Sequence, residues 1–282
     1  MAVRFIIDSA SDILPQEAEK LGMLHCPLKV LFGEEEYRDA VDLTHYEFYE
    51  KLVESDEMPT TSQVSPAEFE EAYEKVVSAG DTAVVVTISS KLSGTYQSAI
   101  IAAEDYAGKV FVVDSLNVAL GERILIQLGL QLAQQGLSAA EIAAKLDEEK
   151  YNIRLMALLD TLEYLKKGGR ISAAVALAGG LLGIKPVIAV ENGEVSLVGK
   201  ARGSKQGNNL LRQLVSKSGV DFEKPFCLAY SGLSDTLLQK YIADSAELWQ
   251  GQAEKLPIVT VGCTIGAHVG PGAVAVTFFE KK

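Results

Sequence analysis

TAVVVTISSKLSGTYQSAIIAAEDYA, residues Thr82 to Ala107, holds the turn on which the fold depends. Its opening run, Thr82 to Ile88, is small and β-branched, the composition of a strand buried on both faces. From Gly94 onward the residues read as a helix. A buried strand passing directly into a helix is half of a βαβ unit, whose strands pair in parallel. Between them, Ser89 to Tyr96 sets three serines, a threonine and a glycine at the strand's C-terminal end. In doubly wound sheets that end faces the ligand crevice. Such a corner suits a scissile bond, a phosphate or a group that is merely bound.

The same alternation extends outward on both sides. VRFIID (Val3–Asp8) is a continuous apolar run ending in Asp-Ser, and SASDILPQEAEKLG after it carries N-cap candidates and a stop at Gly22. CPLKVLF reads as a second strand and THYEFYEKLVES as a helix capped by Thr44. PTTSQVSP forms a hydroxyl-rich loop before a helix with Ser65 as N-cap, Pro66 at its first position and Glu68 three residues after the cap. KVFVVDS is a strand and LGERILIQLGLQLAQQG a long helix. Together these predict a doubly wound parallel sheet through about residue 150. Beyond it, short strands surround an Asn192-Gly193 hairpin turn, and two further strands lie around GCTIGAHVGPGA. The expected fold is therefore α/β, with a parallel-sheet domain over 1–155 and a mixed-sheet α+β domain over 156–282.

Composition narrows the function. The chain has 282 residues, 48% hydrophobic and 23% charged, with a formal net charge of −12. An acidic chain is a poor general nucleic-acid binder. No uninterrupted 18-residue apolar run marks a spanning helix. MAVRFIIDSASD enters a strand at once and lacks the pattern of a signal peptide. Cys26, Cys227 and Cys263 are widely spaced and odd in number, which fits a reducing cytoplasm and small core residues. No His, Cys or Asp grouping has metal spacing, so no metal is expected.

Three chemistries compete for the serine-rich corner. A nucleophilic Ser93 lacks the G-x-S-x-G elbow, and His25, His45 and His268 are the only bases of their kind. A serine lipase or esterase using Ser93 and His268 is the alternative reading. A P-loop is absent, since the loop has one glycine and its lysine stands on the wrong side. Free N–H groups and hydroxyls at a helix start still suit an anion or a carboxyl group. DSLNVALG adds Asp114, Ser115 and Asn117 after the next strand, and simple capping accounts for any single serine.

Residues 166–205 carry Lys166, Lys167, Arg170, Lys185, Lys200, Arg202 and Lys205 against Glu191 and Glu194. A solvated face explains such a run, and so does a docking face for an acidic or nucleotide-loaded partner. AAVALAGGLLGI within it is small and aliphatic, with Gly179 and Gly180 leaving room for a slender apolar ligand.

TTSQVSPAEF, SSKLSGTYQSA, DSLNVALG, LEYLKKGGRIS, LLGIKPV, GKARGSKQ and GCTIGAHVGPGAV, in this order, resemble the DegV family of bacterial fatty-acid-binding proteins. The resemblance runs from DSASD almost to the C-terminal residues. It implies two α/β domains clasping a long-chain fatty acid in a tunnel between them, with no cofactor. It also implies a non-enzymatic, cytoplasmic role as the acyl-carrying subunit of fatty-acid kinase. In that system a separate ATP-dependent kinase subunit phosphorylates the bound carboxyl, and the acyl phosphate feeds phospholipid synthesis. Carried over by motif, Thr61, Ser62, Ser93 and Gly94 hold the carboxyl, Arg170 and His268 lie near the tunnel mouth, and Arg202 faces the partner. A transient membrane contact is compatible with such a carrier.

Overall fold

The apolar run after Asp81 forms a strand that is buried at every position, Thr82–Thr87. The computed structural model describes residues 2–172, 183–249 and 255–281. The chain begins with β1 (Val3–Asp8), α1 (Pro15–Lys20), β2 (Leu24–Cys26), β3 (Lys29–Phe32), β4 (Glu35–Arg38) and α2 (His45–Glu54). Next come β5 (Thr60–Ser62), α3 (Pro66–Ser78), β6 (Thr82–Thr87), α4 (Thr95–Ala102), β7 (Val110–Asp114), α5 (Leu120–Gln134) and α6 (Ala139–Glu149). They are followed by β8 (Ile153–Leu158), α7 (Glu163–Lys167), β9 (Ile184–Glu191), β10 (Glu194–Arg202) and α8 (Gly203–Ser218). The last elements are β11 (Phe226–Tyr230), α9 (Thr236–Asp244), β12 (Ile258–Thr260), α10 (Cys263–Val269) and β13 (Val274–Phe279).

The first sheet is all parallel in the order β2-β1-β6-β7. Its strand order reverses between β1 and β6, which opens a crevice at their C-terminal ends. The second sheet is mixed, in the order β10-β9-β8-β13-β11-β12, with only β11 and β12 parallel. This is the expected α/β class with a parallel and a mixed sheet.

Two local readings change. CPLKVLF is not one strand: β2 ends at Cys26 and the chain resumes as β3 in a separate antiparallel sheet, β4-β3-β5. Pro27 between them lacks the N–H that a continuing ladder needs. The TTSQ stretch is not a loop, because Thr60–Ser62 pairs with Leu31–Lys29 at the edge of that small sheet. Two helices start as read, since Thr44 and Ser65 each form a reciprocal capping box with a glutamate three residues on, and Ser138 caps α6 in the same way.

α5 lies between the parallel sheet and one face of the mixed sheet, with Leu120 through Ile126 all buried. Side chains alternate along the mixed sheet, as strand period requires. Leu155, Ala157, Ile188 and Val190 face α5 and the parallel-sheet core. Met156, Leu158, Val187 and Ala189 face α8 and α9, with Trp249 and Tyr241 at the centre of that second core. A third cluster joins α10 to the small sheet and α2 through Val30, Phe32, Phe48, Tyr49, Cys263 and Ala267. No helix of the described residues is long and apolar enough to cross a membrane. Residues 173–182, which contain Gly179, Gly180 and most of the small aliphatic segment, lie outside the described residues.

Candidate functional site

Where β6 ends, Ile88 N–H donates to the Asp8 carboxylate at 2.8 Å, which ties the ends of β6 and β1 together. The chain then turns through the serine-rich corner into α4. Its serines serve different purposes. Ser89 is fully buried and donates to the Gly193 carbonyl at 2.8 Å, latching the β9–β10 hairpin tip onto the parallel sheet. Gly193, at φ +87, has its Cα against that hydroxyl, where a side chain would collide. Ser90 N–H donates to Asp114. Of the three serines, only Ser93 turns towards the crevice, together with Leu92 and Gly94.

That crevice is a cavity of about 400 Å³ between the C-terminal ends of the parallel sheet and the inner face of the mixed sheet. Its walls are Ile88, Leu92, Val118 and Leu120 on one side and Leu155, Ala157, Ile188, Val190, Val195 and Ala275 on the other. α10 contributes Thr264, Ile265, His268 and Val269. At one end the polar groups gather: Thr61, Ser62 and Gln63 of the β5 segment, Ser93 and Gly94 before α4, His268, and Arg170 after α7. The structure thus brings together six of the seven residues singled out from the sequence, Thr61, Ser62, Ser93, Gly94, Arg170 and His268. Arg202 does not line this cavity; it is exposed at the end of β10.

The polar end is tightly wired. Thr61 Oγ1 and His268 Nε2 are 2.9 Å apart, and Ser93 Oγ shares a 2.9 Å hydrogen bond with Thr95 Oγ1. Gln63, absent from the residues picked out by motif, donates from Nε2 to Ser98 Oγ at 2.8 Å. This bond pins the β5 segment to α4. The amide oxygen of Gln63 packs onto Gly94, where any Cβ would collide with it, so the glycine is needed for close approach. Arg170 donates to the carbonyls of Leu92 (3.1 Å) and Gly168 (2.7 Å). Burial, aided by the Arg170 charge, lowers the His268 pKa to about 4, so its ring is neutral near pH 7.

These contacts do not favour a serine hydrolase. His268 Nε2 meets Thr61, and among the described residues Nδ1 has no partner and no carboxylate orients the ring as a triad requires. Asp114, Ser115 and Asn117 do not reach the cavity. Asp114 accepts from Ser90 and Leu116, while Ser115 and Asn117 bond one another, so these groups serve the turn and its tie to the serine-rich corner.

Tertiary structure also gathers groups with no sequence spacing. Ligand atoms of Asp39, His45 and Cys263 lie within 4.8 Å of one another. Asp39 accepts from Cys263 N–H, Thr264 N–H and Ser9 Oγ. Its role is to cap the start of α10, which has no capping side chain of its own. The α10 segment, GCTIGAHVG, gave no helical periodicity because three of its positions are glycine. Gly262, Gly266 and Gly270 form a four-residue repeat against Asp12 and His45, Phe48 and Tyr49, and Tyr164 respectively.

A family model described as "Uncharacterised protein, DegV family" matches residues 2–281. The chain belongs to the DegV family. A DegV domain-containing protein of Caldanaerobacter subterraneus subsp. tengcongensis is 34% identical over 282 residues, covering 99% of each chain. Among solved structures, a DegV family protein of Thermus thermophilus described for its fatty-acid binding superposes with a TM-score of 0.86. It shares 30% identity, and all of both chains is covered. A stearic acid-binding protein of Eubacterium ventriosum has a TM-score of 0.83 at 26% identity, covering 100% of this chain and 99% of its own. DegV proteins are thus known with fatty acids bound.

Proposed function

We propose that this protein binds a long-chain fatty acid and presents its carboxyl group to a separate ATP-dependent kinase subunit, which converts it to an acyl phosphate. The observation that carries the reading is the cavity's polarity. One end holds hydroxyls, an imidazole and the start of α4, while the remainder is aliphatic. Each buried methylene contributes roughly 0.8 kcal/mol, so a sixteen-carbon chain supplies on the order of 10 kcal/mol before ordering costs. Thr61, Ser62, Ser93 and Gly94 are the proposed carboxyl contacts. His268 and Arg170 stand beside them. Phosphoryl transfer needs a nucleotide and positioned phosphates, and this reading assigns them to the partner. The three cysteines are buried and unpaired, in keeping with a cytoplasmic carrier.

Mass spectrometry of solvent extracts from protein purified out of a bacterial host is expected to show one long-chain fatty acid per chain. An empty extract, together with no saturable uptake of added oleate, would sink the reading. Thr61→Val and Ser93→Ala should each weaken oleate binding about tenfold, the worth of one hydrogen bond left unmade in an apolar site. Wild-type affinity in both variants would move the carboxyl elsewhere.

The kinase-facing role is proposed for Arg202, which is exposed beside Lys205 at the β10–α8 junction. Arg202→Glu should lower acyl-phosphate formation with the kinase, most strongly at low salt, because exposed charges are screened over ~10 Å at 0.1 M. Oleate affinity of the isolated protein should not change. Lost lipid affinity with intact kinase turnover would assign this face to the wrong ligand.

A further inference from the structure

Apart from the exposed Arg170, the polar end of the cavity is built of neutral groups. His268 Nδ1 is buried, without a partner among the described residues, and lodged against the Cα of Gly168, where a methyl group would strike it. A buried N–H left without an acceptor is rarer in proteins than a bare lone pair. The hydrogen-bond network therefore assigns the ring proton to Nε2, which donates to Thr61 Oγ1 across 2.9 Å. Thr61 then has its own hydroxyl proton free to donate into the cavity. A second ring proton would sit on Nδ1 against Gly168 with nothing to accept it. His268 is thus held as a neutral donor and does not become a counter-ion.

Arg170 is the sole charged residue among those lining the cavity in the described structure. It is exposed, and its Nε and Nη1 donate to the Leu92 and Gly168 carbonyls. Other titratable groups facing α10 are Tyr164 beside Gly270, Tyr49 beside Gly266, and Asp12, Asp39, His45 and Cys263 around its start. None of them offers a cation at the polar end. A carboxylate leaving water for this end would lose its hydration without gaining a desolvated opposite charge, which raises the affinity of the carboxyl for a proton.

Resting on the fatty-acid reading above, we propose that the ligand is held as the neutral carboxylic acid, so that binding a carboxylate from neutral solution takes up one proton. The proton comes from solvent, ends on the ligand carboxyl, and returns to solvent when the group is handed on as a carboxylate. The neutral acid donates its O–H to a hydroxyl oxygen and accepts from Thr61. Such a state keeps the resting ligand unreactive and sheltered until a partner supplies positive charge at the cavity mouth.

Calorimetric titration of delipidated protein with oleate, below the concentration at which oleate self-associates, tests this in two buffers of different ionisation enthalpy at pH 8. The expected result is uptake of about one proton per oleate, with affinity weakening about tenfold per pH unit from pH 7.5 to 9. Oleamide, whose head group does not ionise, should bind with pH-independent affinity and overtake oleate at pH 9. Arg170→Gln should leave the proton count unchanged. Saturable oleate binding without proton uptake would overturn the proposal, as would an Arg170→Gln variant that loses oleate but retains oleamide. Absence of saturable oleate binding at every pH would instead remove the fatty-acid reading itself.

Discussion

Gly266→Val is expected to destabilise the protein by about 3 kcal/mol or more and to abolish stoichiometric lipid retention. Valine has a better intrinsic helix propensity than glycine, by a few tenths of a kcal/mol. Packing opposes this and wins. A Cβ at position 266 would stand 2.6 Å from Phe48 Cε1 and 2.7 Å from the Tyr49 hydroxyl. Both rings are fully buried, and the Tyr49 hydroxyl donates to the Val261 carbonyl at 3.1 Å. Neither ring has space to retreat, so α10 must shift. That helix carries Thr264, Ile265, His268 and Val269 into the cavity, and its displacement pulls His268 from Thr61. Gly266→Ala should show a smaller loss, because its propensity gain of ~1 kcal/mol offsets part of an overpacking cost of about 1–3 kcal/mol. Chemical unfolding and lipid mass spectrometry on both variants would decide; wild-type stability in the valine variant would mean that α10 is not closely packed on α2.

Glu122→Met is expected to stabilise the protein by roughly 2–4 kcal/mol at pH 7–8. Glu122 is wholly buried on α5 between the two large sheets, and neither carboxyl oxygen has a hydrogen-bond partner among the described residues. Burial, reinforced by Asp8, Asp12 and Asp114, pushes its pKa well above the usual glutamate range. The neighbouring Arg123 does not relieve it, because that guanidinium pairs with Glu17 and with the Asp12 carbonyl. In the unfolded chain Glu122 titrates near the ordinary value, so it binds a proton more weakly there than in the fold. Its contribution is most favourable below the unfolded carboxyl pKa and is lost progressively as pH rises towards the raised folded value. Asp8, pushed up to about 7 chiefly by burial, acts in the same direction between pH 4 and 7. Methionine removes the Glu122 part of that slope. Urea midpoints of the two proteins should lie nearest each other near pH 4.5 and separate progressively as pH rises to 7–8. Parallel curves across this range would show that the carboxyl is not protonated in the folded protein.

Much of the framework was legible in sequence because its signals are local. Val84, Val85 and Val86 are buried together, and only a strand covered on both faces makes a polar-free β-branched run advantageous. Ser65, Pro66 and Glu68 specify a helix start within four residues. Asn192-Gly193 specifies a tight turn through the φ > 0 positions it needs. Less local features misled. Pro27 diverts the chain to a different sheet, and a short edge strand, Thr60–Ser62, exists only because Lys29–Leu31 lies beside it. α10 has glycines where an amphipathic helix would show its apolar stripe, since the packing surface there is backbone.

The sequence by itself determined the class of the fold, the family and the identities of the polar groups, since capping, strand composition and motif order are properties of neighbouring residues. Tertiary structure alone decided which of those groups meet. It separated Ser89, latched to Gly193, from Ser93, which faces the cavity. It set His268 against Thr61 across 207 positions of chain and fixed its tautomer through the contact with Gly168. It also buried Glu122 among three other acids. Contacts of this kind depend on how three sheets pack around α5 and α10, and no spacing along the chain encodes them.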